Sequence, residues 1–326
     1  MNALVSRSAS TPLEWVELPD RPLRPDEVRV TVAAAGVNPV DWKMRGFDLL
    51  GLAHAVVGPS GPFVPGIDFA GHVVEVGAAV TELGLGDPVV GATDFSRRQR
   101  GSYARTVQVR ADQVAALPPG VPLDEAACLP VAGVTAWAAL FDRGTLAQRA
   151  EPRVLVLGAS GGVGHLAVQL ARDAGAAVVG VCSARNAALV RGLGAVHVDY
   201  GAGDPLEAAA PHGPFDVVVD AVGSRSYPIR RCLAVLRDDG AHVLIMPRPA
   251  DYARLATSRR VSTVLGRATG ANLAPLVERL ATGRLRVAIA ERVPFDEAER
   301  AHQLSREGRV VGKLVLVAPE LMAPTR

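Results

Sequence analysis

The chain has 326 residues, with 35 basic and 33 acidic side chains, so its formal charge is only +2. Hydrophobic residues make up 49% and charged residues 21%, which is typical of a globular protein and excludes a disordered chain. At roughly 150 residues per domain the length predicts about two domains. The charge gives no reason to expect nucleic acid or an anionic membrane as a partner.

Targeting and cysteine patterns indicate a cytoplasmic protein. Residues Met1 to Val16 lack a basic segment followed by an apolar run, so no signal peptide is predicted. No apolar run approaches the ~20 residues needed to cross a bilayer. Cys128, Cys182 and Cys232 are scattered, without the Cys-x-x-Cys spacing of a structural zinc site. Scattered cysteines favour a reducing compartment over a disulfide-linked scaffold.

Residues 1–122 are predicted to be rich in β-strands. Alternating or apolar runs are separated there by turns that contain glycine and proline. The predicted strands are Val28–Ala34, His72–Val76, Pro88–Gly91 and Tyr103–Val109.

Residues 123–265 follow a different pattern, in which short apolar strands alternate with helical stretches such as His165–Ala174 and Asn186–Leu193. Six strands with helical crossovers predict a doubly wound parallel sheet and an α/β fold. The predicted strands are Val154–Leu157, Val178–Cys182, Val196–Val198, Asp216–Asp220, His242–Met246 and Val261–Leu265.

The last part of the chain, residues 266–326, is predicted to return to the first domain and complete it. Two helices, Leu273–Thr282 and Phe295–Glu307, precede a last strand, Lys313–Val317. Periodicity predicts these elements, whereas the return to the first domain is an inference.

The strongest motif is the glycine-rich turn Gly158-Ala-Ser-Gly-Gly-Val-Gly164 after the strand Val154–Leu157. Glycines let the backbone approach a pyrophosphate, and the start of the following helix offers unpaired N–H groups. Alanine replaces the first glycine of the usual G-x-G-x-x-G pattern, but a strand before and a helix after support the match. The alternative is a glycine-rich turn without a ligand. The predicted cofactor contacts are Ala159, Ser160, Gly161, Gly162 and Val163.

The second strand of the predicted sheet favours NADPH over NADH. An NADH site has Asp or Glu ~20 residues beyond the glycines, where this chain has Ser183. Serine can donate to a 2′-phosphate, and Arg185 can pair with it. Tyr200 and Val222, after the third and fourth strands, complete the predicted contacts. The alternative for Arg185 is a solvated side chain at a helix start.

The sequence resembles the medium-chain dehydrogenase/reductase superfamily, specifically its zinc-independent quinone oxidoreductase-like branch. This resemblance implies a GroES-like catalytic domain built from both chain ends, a Rossmann cofactor domain, an active cleft between them and a homodimer formed through the Val261–Leu265 edge. Besides the phosphate loop, the segments that carry it are Ala35–Lys43, Pro65–Gly71, Gly101–Ala104, Leu129–Trp137 and Gly308–Val315.

The resemblance also indicates whether the protein binds a catalytic zinc ion. Zinc alcohol dehydrogenases of this superfamily have Cys and His-Glu where this chain has Asn38, Ile67 and Asp68. Isoleucine cannot ligate zinc and asparagine is a poor ligand, while zinc catalysis needs about three protein ligands. A catalytic metal is therefore not expected.

Without a Lewis acid, oxidation of a plain alcohol is disfavoured, because no group stabilises the alkoxide. Reduction of an activated C=C bond needs only hydrogen-bond donors to the conjugated carbonyl oxygen and exclusion of water. The resemblance accordingly implies an NADPH-dependent reductase of quinones or α,β-unsaturated carbonyls. Two alternatives remain: an enoyl reductase that tailors a polyketide, and a non-catalytic cofactor-binding protein with a structural or regulatory role.

Asn38 and Lys43 are the candidate catalytic residues, with a turn cap and a solvated lysine as the alternatives. Asp41 is expected to pair with Lys43 or to order the loop. Thr135 is a candidate nicotinamide contact or a helix N-cap. Lys313 is a candidate cofactor contact, because Lys43 and Lys313 are the only two lysines among 35 basic residues and, by resemblance, their segments close over the nicotinamide.

Large apolar side chains are candidates for the substrate pocket, with core packing as the alternative. Arg97, Arg98 and Arg100 form a basic loop that could meet an acidic substrate or simply be solvated. The predicted pocket residues are Trp42, Phe47, Phe95 and Met246.

Overall fold

The computed structural model describes residues 1–8, 11–46, 58–59 and 61–322. The chain divides into two compact units. The first unit contains Met1–Val131, Arg267–Gly283 and Ile289–Arg326, and the second contains Ala132–Gly266 and Arg284–Ala288. None of the described helices has the length and apolar character that crossing a membrane requires.

The strands, in chain order, are β1 (Asn2–Val5), β2 (Glu14–Glu17), β3 (Glu27–Val37), β4 (Asp68–Val76), β5 (Pro88–Ala92), β6 (Thr106–Arg110), β7 (Val114–Ala116), β8 (Arg153–Leu157), β9 (Ala177–Cys182), β10 (Val196–Asp199), β11 (Phe215–Asp220), β12 (Leu236–Leu244), β13 (Val261–Thr263), β14 (Ile289–Pro294) and β15 (Lys313–Val317).

The α-helices are α1 (Pro39–Lys43), α2 (Leu123–Ala126), α3 (Pro130–Trp137), α4 (Gly164–Asp173), α5 (Ala187–Gly192), α6 (Pro205–Ala209), α7 (Ile229–Ala234), α8 (Tyr252–Thr257), α9 (Gly270–Ala281), α10 (Ala298–Glu307) and α11 (Pro319–Met322).

The first unit is built on a seven-stranded sheet in which strands from both ends of the chain pair. Strand β3 pairs with β4 through most of its length, with β6 through Glu27–Thr31 and with β15 through Ala34–Val37. Along β3, Val28, Val30 and Val32 are buried while Thr31 is exposed, the alternation of a strand that covers a core. β15 in turn pairs with β14, so the last strand lies inside the sheet.

The second unit contains a six-stranded parallel sheet with the order β10-β9-β8-β11-β12-β13. Each strand is joined to the next by a segment that contains helix, as parallel pairing requires. All six residues of β11 are buried, as expected for a strand covered on both faces. The predicted doubly wound sheet is confirmed, and its order is the one typical of dinucleotide-binding proteins.

Several predicted boundaries differ from the structure. The strand predicted from Tyr103 begins at Thr106, because Tyr103 lies fully buried in an irregular segment. Strand β12 runs from Leu236 to Leu244 rather than from His242 to Met246. Its first half was missed because the polar Arg-Asp-Asp run does not follow the apolar pattern of a buried strand. β13 ends at Thr263, and Leu265 is 93% exposed. The short strands β1, β2, β7 and β14 were not predicted.

Candidate functional site

A one-turn helix, α1, begins where β3 ends in the first unit. Asn38 precedes it in an extended conformation, and Pro39 occupies its first turn, where a missing N–H costs nothing. The Asp41 carboxylate reaches back and accepts the backbone N–H of Asn38 at 2.7 Å. Asp41 therefore orders this loop, which is the second of the two roles expected for it.

Behind this turn lies a buried group that we call the Lys313 cluster, made of Asn38, Asp68 and Lys313. The Asn38 amide donates to the Asp68 carboxylate at 2.9 Å, and its oxygen accepts the Lys313 ammonium at 2.5 Å. Lys313 also donates to the carbonyl of Val37 at 3.0 Å and lies 3.9 Å from the Asp68 carboxylate. The three residues are 3%, 0% and 4% exposed, so the lysine balances a carboxylate that has left water.

A chain of hydrogen bonds extends from Asp41 to the helix α10. Tyr103 donates to Asp41 at 3.3 Å, and its hydroxyl lies 3.3 Å from Nε2 of His302. Arg45 lies 3.1 Å from Nδ1 of His302, and arginine can only donate. Nδ1 is therefore the acceptor. Nε2 carries the proton and donates it in a hydrogen bond to the Tyr103 hydroxyl oxygen. Burial and the neighbouring Arg45 lower the pKa of His302 to about 3, consistent with a neutral ring.

The two buried carboxyl groups have raised pKa values. Burial, with a smaller effect of nearby Asp68, raises the pKa of Asp41 to about 7. Burial raises the pKa of Asp68 to about 6, while Lys313 and the Asn38 amide act in the opposite direction. One oxygen of Asp41, Oδ1, has no partner among the described residues. At neutral pH Asp68 is therefore mostly ionised beside Lys313, while Asp41 lies close to its pKa and is divided between its protonated and ionised forms.

Two further predicted residues of the first unit, Trp42 and Lys43, belong to α1. Lys43 is partly exposed, with its ammonium 5.5 Å from the centre of the Trp42 ring. Trp42 donates from its indole N–H to Ser305 at 3.1 Å, and the Arg306 guanidinium lies over its ring. Phe47 lies outside the described residues. The roles assigned to Asn38 and Lys43 stay predictions, although both polar atoms of the Asn38 amide already have protein partners.

The basic loop is partly paired. Phe95 opens a short 3-10 turn that ends at Arg97, and Arg97 lies within 3.6 Å of Asp94 and 3.5 Å of Asp112. Arg100 donates to the carbonyl of Pro19 at 2.9 Å, whereas Arg98 is exposed. These arginines, with Arg21 and Arg24, line a cavity of about 290 Å³ in the first unit. The acidic-substrate and solvated-loop interpretations of this loop both stay predictions.

In the second unit, the glycine-rich turn joins β8 to α4. Gly158 has a positive φ of 82°, and Gly158 and Ala159 both donate to the carbonyl of Val181. A Cβ on Gly164 would lie 2.1 Å from the carbonyl oxygen of Gly158, so only glycine fits where the helix starts. Among the described residues, the backbone N–H groups of Gly162 and Val163 have no partner. Free N–H groups at the start of a ten-residue helix fit a dinucleotide pyrophosphate.

The predicted cofactor residues of the second unit follow successive parallel strands. Ser183 follows β9, Tyr200 follows β10 and Val222 follows β11. Carboxyl ends of parallel strands share one edge of the sheet, where ligands of such folds bind. Arg185 is exposed, and Tyr200 and Val222 are 54% and 46% exposed, so all three are accessible.

Two residues at this edge were not predicted. Asn186 donates from its amide to the Ser160 hydroxyl at 2.9 Å and so orients the phosphate loop. The Asp199 carboxylate accepts the N–H groups of Ala184 and Gly201 at 3.1 and 2.9 Å. Both residues could have been found in the sequence, because asparagine and aspartate just after a predicted strand often bind loop backbone or side-chain groups.

The last two predicted residues, Thr135 and Met246, lie in the second unit. Thr135 lies inside α3 rather than before it, so the alternative that it is an N-cap is wrong. Met246 follows β12 in the second unit and is 42% exposed. Their proposed contacts with nicotinamide and substrate stay predictions.

Two family models match the chain. Residues 24–119 match the model described as "Alcohol dehydrogenase GroES-like domain", and residues 193–316 match "Zinc-binding dehydrogenase". The chloroplast envelope quinone oxidoreductase homolog of Arabidopsis thaliana is 32% identical over 315 residues, 93% of each chain. The chain belongs to the medium-chain dehydrogenase/reductase superfamily and is of its quinone oxidoreductase-like kind. It is therefore an oxidoreductase, and the family implies a nicotinamide cofactor.

Other relatives agree with this family and with the predicted fold. The quinone oxidoreductase from Coxiella burnetii has a TM-score of 0.85 at 30% identity, covering 97% of this chain and 98% of that one. The trans-enoyl reductase pgmF of Aspergillus terreus (strain NIH 2624 / FGSC A1156) is 39% identical over 214 residues, 63% of this chain and 58% of its own. The prediction of a GroES-like domain combined with a Rossmann sheet is confirmed.

The residues at the three positions that the resemblance associates with zinc, Asn38, Ile67 and Asp68, do not fit a catalytic zinc ion. Of the three positions that the resemblance associates with zinc, Ile67 has no donor atom, and the Asn38 oxygen already accepts the Lys313 ammonium. The Asp68 carboxylate accepts the Asn38 amide and the backbone N–H of Val131. A fixed ammonium 3.9 Å from Asp68 would repel a divalent cation.

Proposed function

We propose that this protein is an NADPH-dependent reductase of quinones or α,β-unsaturated carbonyl compounds that uses no metal at its reacting centre. The observation that carries the metal-free reaction is the Lys313 cluster, in which an internal ammonium supplies the positive charge next to Asp68. Relatives named as quinone oxidoreductases support the substrate class.

The second unit, which begins at Ala132, would hold the cofactor. The proposed cofactor domain, residues 123–265, starts slightly earlier, and residues 1–122 and 266–326 form the proposed catalytic domain. Bound NADPH supplies the hydride. The free N–H groups of Gly162 and Val163 would bind its pyrophosphate, while Ser183 and Arg185 would donate to its 2′-phosphate. The nearby Asp199 carboxylate accepts two backbone N–H groups through its Oδ1 atom, and its remaining negative charge opposes the binding of that phosphate.

At the substrate, the chain must stabilise negative charge that develops on the carbonyl oxygen. Lys43 is the residue we assign to this role, because it is partly exposed and an ammonium can donate to an oxyanion. Asn38 would act through its position in the loop, since its amide is already bonded to Asp68 and Lys313. The α-carbon would take its proton from water or from a nearby acid.

The decisive experiment measures the turnover of NADPH and NADH with a panel of quinones, enones and enoyl thioesters. The wild type should prefer NADPH, and the double variant Ser183→Asp/Arg185→Glu should lower kcat/KM for NADPH by about 10- to 100-fold, as expected for lost charge-assisted hydrogen bonds. Arg191→Glu makes the same arginine-to-glutamate change at the exposed end of α5 and serves as the control for that part of the double variant. A preference for NADPH that survives the double change would contradict the assignment.

The likeness to a trans-enoyl reductase favours a second candidate, the reduction of an enoyl thioester in polyketide tailoring. A higher kcat/KM with enoyl thioesters than with quinones would select it. Absence of turnover with the whole panel, together with tight NADPH binding, would instead indicate a non-catalytic protein.

We also propose a homodimer in a reducing, cytoplasmic compartment. Strand β13 is an edge strand of the six-stranded sheet, and Leu265, shortly after it, is 93% exposed. An exposed edge strand favours pairing with another chain. The three cysteines are free and buried, which suits a reducing environment.

A further inference from the structure

Three side chains with metal-ligating atoms meet in the core of the second unit. Asp220 is the last residue of β11, His242 lies in β12 and Cys232 lies in α7. Their ligand atoms all lie within 4.8 Å of one another, and each residue is 0% exposed. We call this group the Asp220 cluster.

The parallel sheet explains why these residues meet. In the pairing of β11 with β12, His242 lies opposite Val218, and Asp220 lies two residues further along β11. Residues two apart on a strand point to the same face, so the carboxyl and imidazole groups share a face. Cys232 belongs to the same hydrophobic core as Val218. The fold therefore brings the three groups together from separate elements.

The polar atoms of the Asp220 cluster are poorly satisfied by the protein. One carboxylate oxygen of Asp220 accepts the N–H groups of Val222 and Gly223 at 3.0 and 2.7 Å. The other oxygen and both ring nitrogens of His242 have no hydrogen-bond partner among the described residues. Nε2 of His242 is 3.7 Å from that oxygen, which is too long for a hydrogen bond. Buried polar atoms without partners are costly, so a missing binding partner is indicated.

We propose that Asp220, Cys232 and His242 bind one divalent transition-metal ion, zinc in particular, at a structural site. A mixed oxygen, sulfur and nitrogen ligand set favours zinc over calcium or magnesium, which prefer oxygen ligands. Metal–ligand bonds of about 2.0–2.3 Å place tetrahedral ligand atoms roughly 3.3–3.6 Å apart, close to the 3.7 Å between Asp220 and His242. Water would fill the fourth position.

Charge balance supports this assignment. A zinc ion with one carboxylate, one thiolate and one neutral imidazole has zero net charge, as a fully buried site requires. Binding converts the Cys232 thiol to a thiolate, and its proton leaves to solvent. Because no member of the cluster is exposed, the ion would have no contact with substrate. It would instead fix the Asp220 carboxylate, which caps the turn that carries Val222.

The test uses Co²⁺ as a spectroscopic probe for zinc. The full chain would be produced in minimal medium containing CoCl₂, so that the ion can enter as the protein folds. We expect about one cobalt per chain and a near-ultraviolet thiolate-to-cobalt absorption band. Cys232→Ser should abolish the band and lower the bound cobalt at least tenfold, whereas Cys128→Ser and Cys182→Ser, at the two other buried cysteines, should leave both unchanged.

If Cys232→Ser does not fold, the double variant Cys128→Ser/Cys182→Ser decides the matter, because Cys232 is then the only remaining cysteine. A retained band supports the proposal and a lost band overturns it. Wild-type protein without bound cobalt would also overturn it, as would loss of the metal in Cys128→Ser alone, since that cysteine lies in the first unit.

Discussion

The ammonium of Lys313 lies among the carbonyl oxygen of Val37, the amide oxygen of Asn38 and the carboxylate of Asp68. A planar guanidinium is larger and donates in a fixed fork, so arginine would not fit three acceptors arranged around one point. This geometry gives a physical reason for a lysine in a chain where only two of 35 basic residues are lysines. Rarity in the sequence singled out Lys313 as a cofactor contact, which stays a prediction, and it could not identify the buried partners that the structure shows.

Lys313→Met should be strongly destabilising, because it leaves the Asp68 carboxylate buried without its cation. Removing one member of a buried ion pair typically costs about 3–5 kcal/mol, and urea unfolding would measure the loss. Lys43→Met is the matched control at the other lysine. That side chain is partly exposed and lies over Trp42, so we expect a loss of only about 0.5–1 kcal/mol. Equal losses in the two variants would contradict the assigned role of Lys313.

At the scale of elements, local patterns could be predicted and distant pairings could not. The turn from Gly158 to Gly164, its preceding strand and its following helix are neighbours in sequence, so spacing alone predicted them. The Lys313 cluster joins residues 275 positions apart, and no local periodicity contains that information. Strand β14 was missed for a related reason: its polar Glu-Arg pair interrupts the apolar pattern, and pairing with β15 determines its conformation.

Gly164→Ala should displace the phosphate loop, because the new Cβ would lie 2.1 Å from the Gly158 carbonyl oxygen. We expect a loss of about 1–3 kcal/mol in unfolding free energy, typical of overpacking, and at least a tenfold increase in the Kd for NADPH, measured by fluorescence titration. Gly192→Ala in α5 is the control, since a Cβ there meets nothing within 4 Å. Unchanged NADPH affinity in Gly164→Ala would refute the loop's assignment to the cofactor.

For the molecule as a whole, buried carboxyl groups make stability depend on pH. The pKa of Asp41 is raised to about 7, so the folded protein keeps a proton that the unfolded chain releases near pH 4. The Asp41 contribution is complete below pH 4 and is lost as the pH rises to 7. Asp68 acts in the same direction up to about pH 6, whereas His302, with a pKa of about 3, acts in the opposite direction.

Asp41→Asn isolates the first contribution, because the amide oxygen can still accept from Asn38 and Tyr103. Between pH 4 and 7, the wild type should lose stability relative to this variant by up to roughly 1.4 kcal/mol per pH unit. Urea unfolding at several pH values would measure the difference. Asp238→Asn, at an exposed position, should follow the wild-type profile. A constant difference between wild type and Asp41→Asn would show that Asp41 does not titrate in this range.

The position of β15 inside the first sheet has a consequence for the order of synthesis. On the ribosome, strands β8 to β13 of the second unit all emerge before β14 and β15. The sheet of the first unit includes β15, Lys313–Val317, so its pairing with β3 cannot form until this last strand has been synthesised. Until then Asp68 lacks its buried cation. The strands of the parallel sheet are therefore all available for pairing before the sheet of the first unit can be completed.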